Sequence, residues 1–160
     1  DFVAAIREET RGRSTPFTLP ELEALDPPML VNRGDWTLTA SNGADGCKNA
    51  IDSDGGSRWS SGRTQRGGEW FQIELPDLSK VSEVILNAAP STDDYPREYE
   101  VVVMANNEWS EVLAKGSGDG PVTVIGLPLV NAKIIRITQR GRANGKHWSI
   151  HDLQIKGKKL

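Results

Sequence analysis

A single cysteine, Cys47, stands in a chain of 160 residues, so neither an intramolecular disulfide framework nor a multi-cysteine zinc site can form. Histidine is nearly as scarce, with His147 and His151 the only two, and no motif sets either beside a Ser and an Asp as a nucleophilic triad requires. No apolar run approaches the roughly 20 residues of a membrane-spanning helix. No G-x-S-x-G, Walker loop or dinucleotide fingerprint occurs. A basic excess is missing too: 19 Lys+Arg against 22 Asp+Glu leave a net charge of -3, which argues against a general nucleic-acid binder. What remains, 37% hydrophobic and 26% charged residues in 17.5 kDa, is the composition of one folded soluble domain. The chain begins at Asp1 without Met or a signal-peptide pattern, which reads as a processed product or a piece of something larger.

The first 30 residues differ from the rest. Phe2, Val3 and Ile6 have the spacing of a short amphipathic helix, Arg11–Pro16 reads as a connector, and Thr18 is placed to cap a second short helix that ends before Pro27-Pro28. Residues 1–30 are therefore expected to be an N-terminal arm or linker, or else a strip packed along the side of the domain formed by 31–160. From Val31 the texture becomes short β-type runs separated by Gly, Asn, Asp and Pro. The expected strands are Trp36–Ala40, Glu69–Leu75, Ser82–Ala88, Glu98–Met104, Ser110–Ala114, Val122–Ile125, Lys133–Gln139 and Ser149–Lys156. Phe71, Ile73 and Leu75 alternate onto one face, and the runs around Val84 and Ile135 are rich in β-branched residues, as strands with a covered face should be. Asn106-Asn107 reads as a tight hairpin turn, because Asn tolerates positive φ. The pattern predicts an all-β sandwich or jelly roll.

One segment carries coordination chemistry. In Asn49-Ala50-Ile51-Asp52-Ser53-Asp54-Gly55-Gly56-Ser57, two carboxylates lie two residues apart in a Gly-containing loop, with a hydroxyl a turn later. Hard oxygen donors in such a loop suit Ca²⁺ better than a transition metal, while an Asp/Gly turn with solvated carboxylates has the same spacing. The loop is not an EF-hand, whose spacing and closing Glu are missing.

Asp35-Trp36-Thr37-Leu38-Thr39-Ala40-Ser41, Asn49-Ala50-Ile51-Asp52, Arg58-Trp59-Ser60 and Glu69-Trp70-Phe71-Gln72-Ile73-Glu74-Leu75 together resemble the discoidin family. That family comprises the coagulation factor 5/8 type C domains and the family 32 carbohydrate-binding modules. Tyr99-Glu100-Val101, Trp109, Ile135-Arg136-Ile137 and Trp148-Ser149-Ile150-His151-Asp152-Leu153-Gln154-Ile155 continue the likeness in order. The resemblance implies an eight-stranded antiparallel jelly-roll sandwich of galactose-binding-like type. It also implies a structural Ca²⁺ held by the Asn49 carbonyl, the Asp52 and Asp54 side chains, Ser57, the His151 carbonyl and the Asp152 carboxylate, tying the early loop to the last strand. Ser57 stands where the family usually has Thr and Asp152 where it usually has Glu.

Carbohydrate-binding members of such a family use the loops at one end of the sandwich, where aromatic faces and polar side chains meet a sugar. Three loops qualify: 60–68, 89–97 and 140–148. They offer Arg63, Arg66, Asp94, Tyr95, Arg142, Asn144, His147 and Trp148 as ligand-binding candidates. Trp59 and Trp70 read as core, and Trp36 and Trp109 as packing residues. Ser60-Ser61 and Ala89-Pro90 stand where galactose-binding relatives often carry His and Arg, so galactose specificity does not transfer. From Arg136 onward Arg136, Arg140, Arg142, Lys146, Lys156, Lys158 and Lys159 face Asp152 alone, a cluster able to meet an acidic or sulfated polysaccharide. The expectation is a non-catalytic, calcium-stabilised carbohydrate-binding module of a larger secreted or surface protein, located outside the cell or in the periplasm. The alternative is a protein-interaction domain on the same scaffold. The polar loops argue against insertion into a membrane.

Overall fold

The computed structural model describes residues 27–160; the two short helices expected before residue 27 lie outside the described residues. Nine strand segments follow: β1 (Thr37–Ala40), β2 (Trp59–Ser60), β3 (Glu69–Asn87), β4 (Tyr99–Ala105), β5 (Glu108–Trp109), β6 (Ala114–Gly116), β7 (Val122–Gln139), β8 (Ser149–Ile150) and β9 (Asp152–Lys159). All pairings are antiparallel, in the order β1-β3-β7-β4-β5, with β6 on β4, β9 on β3, and a separate β2-β8 pair.

Two long strands make the sandwich. The first half of β3 pairs with β1 and with the end of β7; its second half pairs with β9 and the beginning of β7. Register shifts between Glu74 and Ser79 and between Val81 and Glu83 bend the ribbon, as bulges do, so one strand serves both layers. Pro76 falls in the interruption, where its missing N–H costs no ladder bond. The expected separate strands on either side, Glu69–Leu75 and Ser82–Ala88, are therefore one element, and so are Val122–Ile125 and Lys133–Gln139.

Alternation places Phe71, Ile73, Leu75, Val84, Leu86, Val101, Val103, Ile135, Ile137, Leu153 and Ile155 in a single buried core. At its centre Trp59 meets Phe71 and Trp148 edge to face, with ring centroids 4.9 Å apart in both pairs; such pairs contribute about 0.5–1.5 kcal/mol beyond the area they bury. Trp36 is buried as well. Trp70 is not core: it stands on the outer face of β3, where Arg136 stacks 4.2 Å from its ring and 5.2 Å from that of the half-exposed Trp109.

The expected strand Ser110–Ala114 does not form. Trp109 pairs with Met104 and Ala114 with Val101, so residues 110–113 span only Val102 and Val103, and the surplus bulges out. Asn106 and Asn107 do make the hairpin turn, with φ of 54° and 63°, both left-handed as a type I′ turn requires. The end of the expected arm belongs to the sandwich: Met29 bridges to Lys156, and the Leu30 amide donates to the Ile155 carbonyl at 2.7 Å.

Candidate functional site

The short β2-β8 pair aims two loops the same way. Loop 60–68 leaves β2, loop 140–148 enters β8, and they stay together beyond the pair. The Gln65 amide donates to the Lys146 carbonyl at 2.9 Å, the Ala143 amide to the Gln65 carbonyl at 3.1 Å, and Ser61 exchanges hydrogen bonds with the Trp148 backbone. The Gln65 side chain, 1% exposed, ties in the third loop. Its Nε2 donates to the carbonyls of Tyr95 and His147 at 2.9 and 3.0 Å, and its Oε1 accepts from the Arg97 amide at 3.1 Å. Buried Glu69 braces the base, accepting from the Arg66 and Gly67 amides and from Gln139 Nε2.

These loops enclose a cleft of about 340 Å³ lined by Thr64, Gln65, Arg66, Arg142 and Asn144. Three of the expected ligand residues, Arg66, Arg142 and Asn144, are therefore brought together and exposed. Neither guanidinium has a hydrogen-bond or ion-pair partner among the described residues. Arg63 faces inward enough to lie 3.5 Å from Glu69. His147 is half-buried with Nδ1 3.3 Å from the Ser60 hydroxyl.

The other candidates are committed elsewhere. Asp94 Oδ2 accepts from Arg58 at 3.0 Å and from the Ser149 hydroxyl at 2.7 Å, so it holds the loop rather than offering a carboxylate. Arg97 covers a face of the Tyr95 ring at 3.7 Å. Trp148 offers no ligand platform at all. It is fully buried against Trp59, and among the described residues its Nε1 has no hydrogen-bond partner. An apolar flank opens this position to the core, and the sequence around it carries no sign of which way the ring turns. Gln65 and Glu69 went unrecognised for a related reason: a buried polar residue in a loop has no periodic signal.

The expected calcium loop is folded on itself. Asp52 Oδ1 accepts from the Asp54 amide at 3.0 Å and Oδ2 from the Ser57 hydroxyl; Asp54 Oδ1 accepts from the Gly56 amide at 2.9 Å. The Ser57 hydroxyl first, and the Asp54 amide next, hold the Asp52 carboxyl below its ordinary range. Asn49 donates to the Arg58 carbonyl at 3.0 Å. Asp152 turns to Arg33, 2.7 Å away. His151 acts through its ring: Nδ1 lies 2.9 Å from the Gly55 carbonyl and Nε2 2.9 Å from the Ser91 hydroxyl. Since a carbonyl only accepts, Nδ1 carries the proton. Among the described residues no three His, Cys, Asp or Glu side chains are grouped so as to hold a metal ion. The Asp52 carboxylate, the Asp54 carbonyl and the Ser57 hydroxyl are brought together within the loop, while Asp152 pairs with Arg33.

The described residues thus form an antiparallel sandwich with a cleft built by loops at one end. Residues 35–153 match the F5/8 type C domain, and the chain belongs to that family. Its β-sandwich is galactose-binding-like, as in the family 32 carbohydrate-binding module of NanJ from Clostridium perfringens, solved with galactose. The two share 18% identity at a TM-score of 0.68, over 79% of this chain and 97% of that one. Chitosan-binding module 2 of a chitosanase/glucanase from Paenibacillus sp. IK-5, solved with chitotriose, is 25% identical at a TM-score of 0.64, over 77% and 97%. A family 89 glycoside hydrolase from Clostridium perfringens matches at 20% identity and a TM-score of 0.62, over 79% of this chain but 14% of that one. No curated protein sequence matches the chain.

Proposed function

We propose that this domain is a non-catalytic carbohydrate-binding module that takes a glycan into the cleft between loops 60–68 and 140–148, and that it prefers sugars bearing a carboxylate or sulfate. The observation that carries the reading is the pair of guanidinium groups, Arg66 and Arg142, without partners among the described residues and lining one cleft with Thr64 and Asn144. Arg presents a planar fork of donors that matches a carboxylate or sulfate face. Thr64 and Asn144 add hydroxyl- and amide-type contacts of the kind sugar hydroxyls need. A larger cleft of about 390 Å³ beside Met29, Leu30, Trp36 and Leu75 has a mainly apolar lining, which suits a polyol less well. The resemblance to modules that form part of a glycoside hydrolase supports a role in anchoring a larger secreted or surface protein to its polysaccharide. The alternative, a protein-interaction domain, draws on the Trp70-Arg136-Trp109 stack on the outer sheet face.

A glycan array spanning neutral, uronate-bearing and sulfated chains, read at low and raised salt, tests this. Acidic glycans are expected to bind, less tightly at raised salt. Arg66→Ala and Arg142→Ala are each expected to weaken binding about tenfold, since a charge-assisted hydrogen bond contributes about 1.5–3 kcal/mol. Both side chains are exposed, so folding is unaffected. Binding that ignores both substitutions, or silence across every glycan class, overturns the reading and leaves the outer sheet face as the interaction surface to test.

A further inference from the structure

The second half of β3 carries a strand on each side: β9 along one edge, and residues 122–126 of β7 along the other. β7 pairs with β4 only from Ile134 onward, so among the described residues 122–126 form an open sheet edge. The Ala88 amide donates to the Pro121 carbonyl at 2.8 Å, which sets the phase of the ladder. Thr123 and Ile125 turn their backbone groups to β3, and Val122, Val124 and Gly126 turn theirs outward, since the two directions alternate along an antiparallel strand. Val122 and Val124 are 49% and 52% exposed, and a Cβ at Gly126 would meet nothing within 4 Å. Edges guarded against pairing usually carry charge, Lys above all; from Pro121 to Ala132 there is no charged residue.

We propose that this edge is a self-association surface: residues 122–126 of two copies pair antiparallel about a two-fold axis at Val124, continuing one sheet across both domains. The outward N–H and C=O groups ask for an extended chain, because another strand offers partners at the matching spacing. The residues favour a second copy as that strand. With Val124 opposite Val124, the outward groups of Val122 and Gly126 meet those of Gly126 and Val122 of the second copy. Each Val122 then lies beside a glycine that leaves it room, and the two Val124 side chains make a β-branched cross-strand pair at the axis. Charges in this segment would be doubled across the axis at close range; their absence removes that cost. Pro121 and Pro128 bound the pairing, since neither donates a ladder bond. Such an isologous contact closes on itself, so association stops at two copies. The edge shares no residue with the cleft of loops 60–68 and 140–148, and the inference holds whatever ligand that cleft takes. A dimer presents two clefts to one polysaccharide, which raises avidity without any new contact.

Sedimentation equilibrium of the whole chain, from micromolar concentration to about 1 mM, is the direct test. A short edge-to-edge pairing buries little surface, so the dimer is expected to be weak, with Kd on the order of 0.1 mM. Val124→Lys sets two ammonium groups opposite one another at the axis and is expected to leave the chain monomeric over that range. Its melting temperature at micromolar concentration should stay within about 2 °C of the wild type, the side chain being exposed. Val124→Glu should behave in the same way. An equimolar mixture of the two variants is expected to regain the dimer, since opposite charges then meet across the axis; a general loss of surface hydrophobicity would give no such rescue. Wild-type protein that stays monomeric to about 1 mM overturns the proposal without any variant having to fold. So does a dimer that tolerates Val124→Lys, or a mixture of the variants that fails to associate.

Discussion

Replacing Gln65 by Leu removes the side chain that joins the three apical loops while keeping nearly its volume. Its amide serves three backbone groups: the Tyr95 and His147 carbonyls and the Arg97 amide. The Tyr95 carbonyl keeps a second donor, the Arg97 guanidinium at 2.8 Å. The other two have no alternative bond within the described structure, and each buried group left unsatisfied costs about 1–3 kcal/mol. Leu recovers part of this by burying apolar surface, leaving a net loss of about 3 kcal/mol, or about 10 °C in Tm for a domain of this size. Gln65→Glu separates the hydrogen-bond argument from a packing argument. It preserves shape and the acceptor for Arg97 but aims a carboxylate at two carbonyls, so it should destabilise at least as much as Leu. Circular dichroism melts of the three proteins decide the matter. A drop of under about 2 °C for both variants would refute the claim that this side chain pins the loops, since two stranded groups exceed that on any ordinary accounting.

Cys47 is buried, and burial first, then the charge of Asp45, pushes its thiol up from an ordinary 9.0 to about 11. The folded chain should resist thiol labelling at mildly alkaline pH until denaturant is added, because the thiolate is the nucleophile; rapid labelling of the native protein would contradict this. The linked stability is present in full below pH 9.0, where both states hold the proton, and declines as pH climbs towards about 11, where the unfolded chain ionises first. Gly157→Ala should destabilise by about 1–3 kcal/mol through overpacking, since a Cβ there would lie 2.4 Å from the Lys80 carbonyl. Gly126→Ala, on β7 beside the same bulge with nothing within 4 Å, should be near neutral in the same chemical-denaturation measurement; equal effects at the two glycines would discount the steric argument.

Much of the sandwich could be read before any coordinates. Strands whose buried residues alternate, such as Phe71-Ile73-Leu75 and Ile135-Ile137, announce themselves, because one face meets the core and the other water. The Asn106-Asn107 turn is equally legible, since few residue pairs accept two positive φ angles in succession. Continuity is not. Pro76 and Pro128 look like breaks, yet each lies where a curling strand passes between partners and donates no ladder bond. The Ser110–Ala114 error has the same origin: the residues favour extended backbone, but register belongs to the pairing of β5 and β6 with β4, which no local pattern encodes. Site residues divide in a similar way. Loop position alone was enough to expect Arg66, Arg142 and Asn144 near one another, whereas the surroundings of Asp94 and Trp148 depend on what the fold sets against them. Arg33 had no signal, for its partners lie 119 and 20 residues away.

The basic residues after Arg136 show how folding changes the meaning of a linear cluster. Read along the chain, seven cations against one carboxylate suggest a broad electropositive surface. In three dimensions Arg136 lies between two tryptophans and donates to Gln72. Arg140 pairs with Glu100, Lys146 with Asp93, Lys156 with Glu83 and Lys159 with Asp77, at 3.2–3.6 Å. Pairs this exposed add little stability, about 0–1 kcal/mol each, but they cancel charge locally. Arg142 escapes the cancellation and meets Arg66, contributed by a loop far earlier in the chain. With a net charge of -3, the whole molecule exerts no long-range pull on a polyanion. Attraction to an acidic glycan therefore has to be made at short range by two side chains. Its dependence on salt should accordingly be shallow, that of a two-arginine contact and not of a basic face.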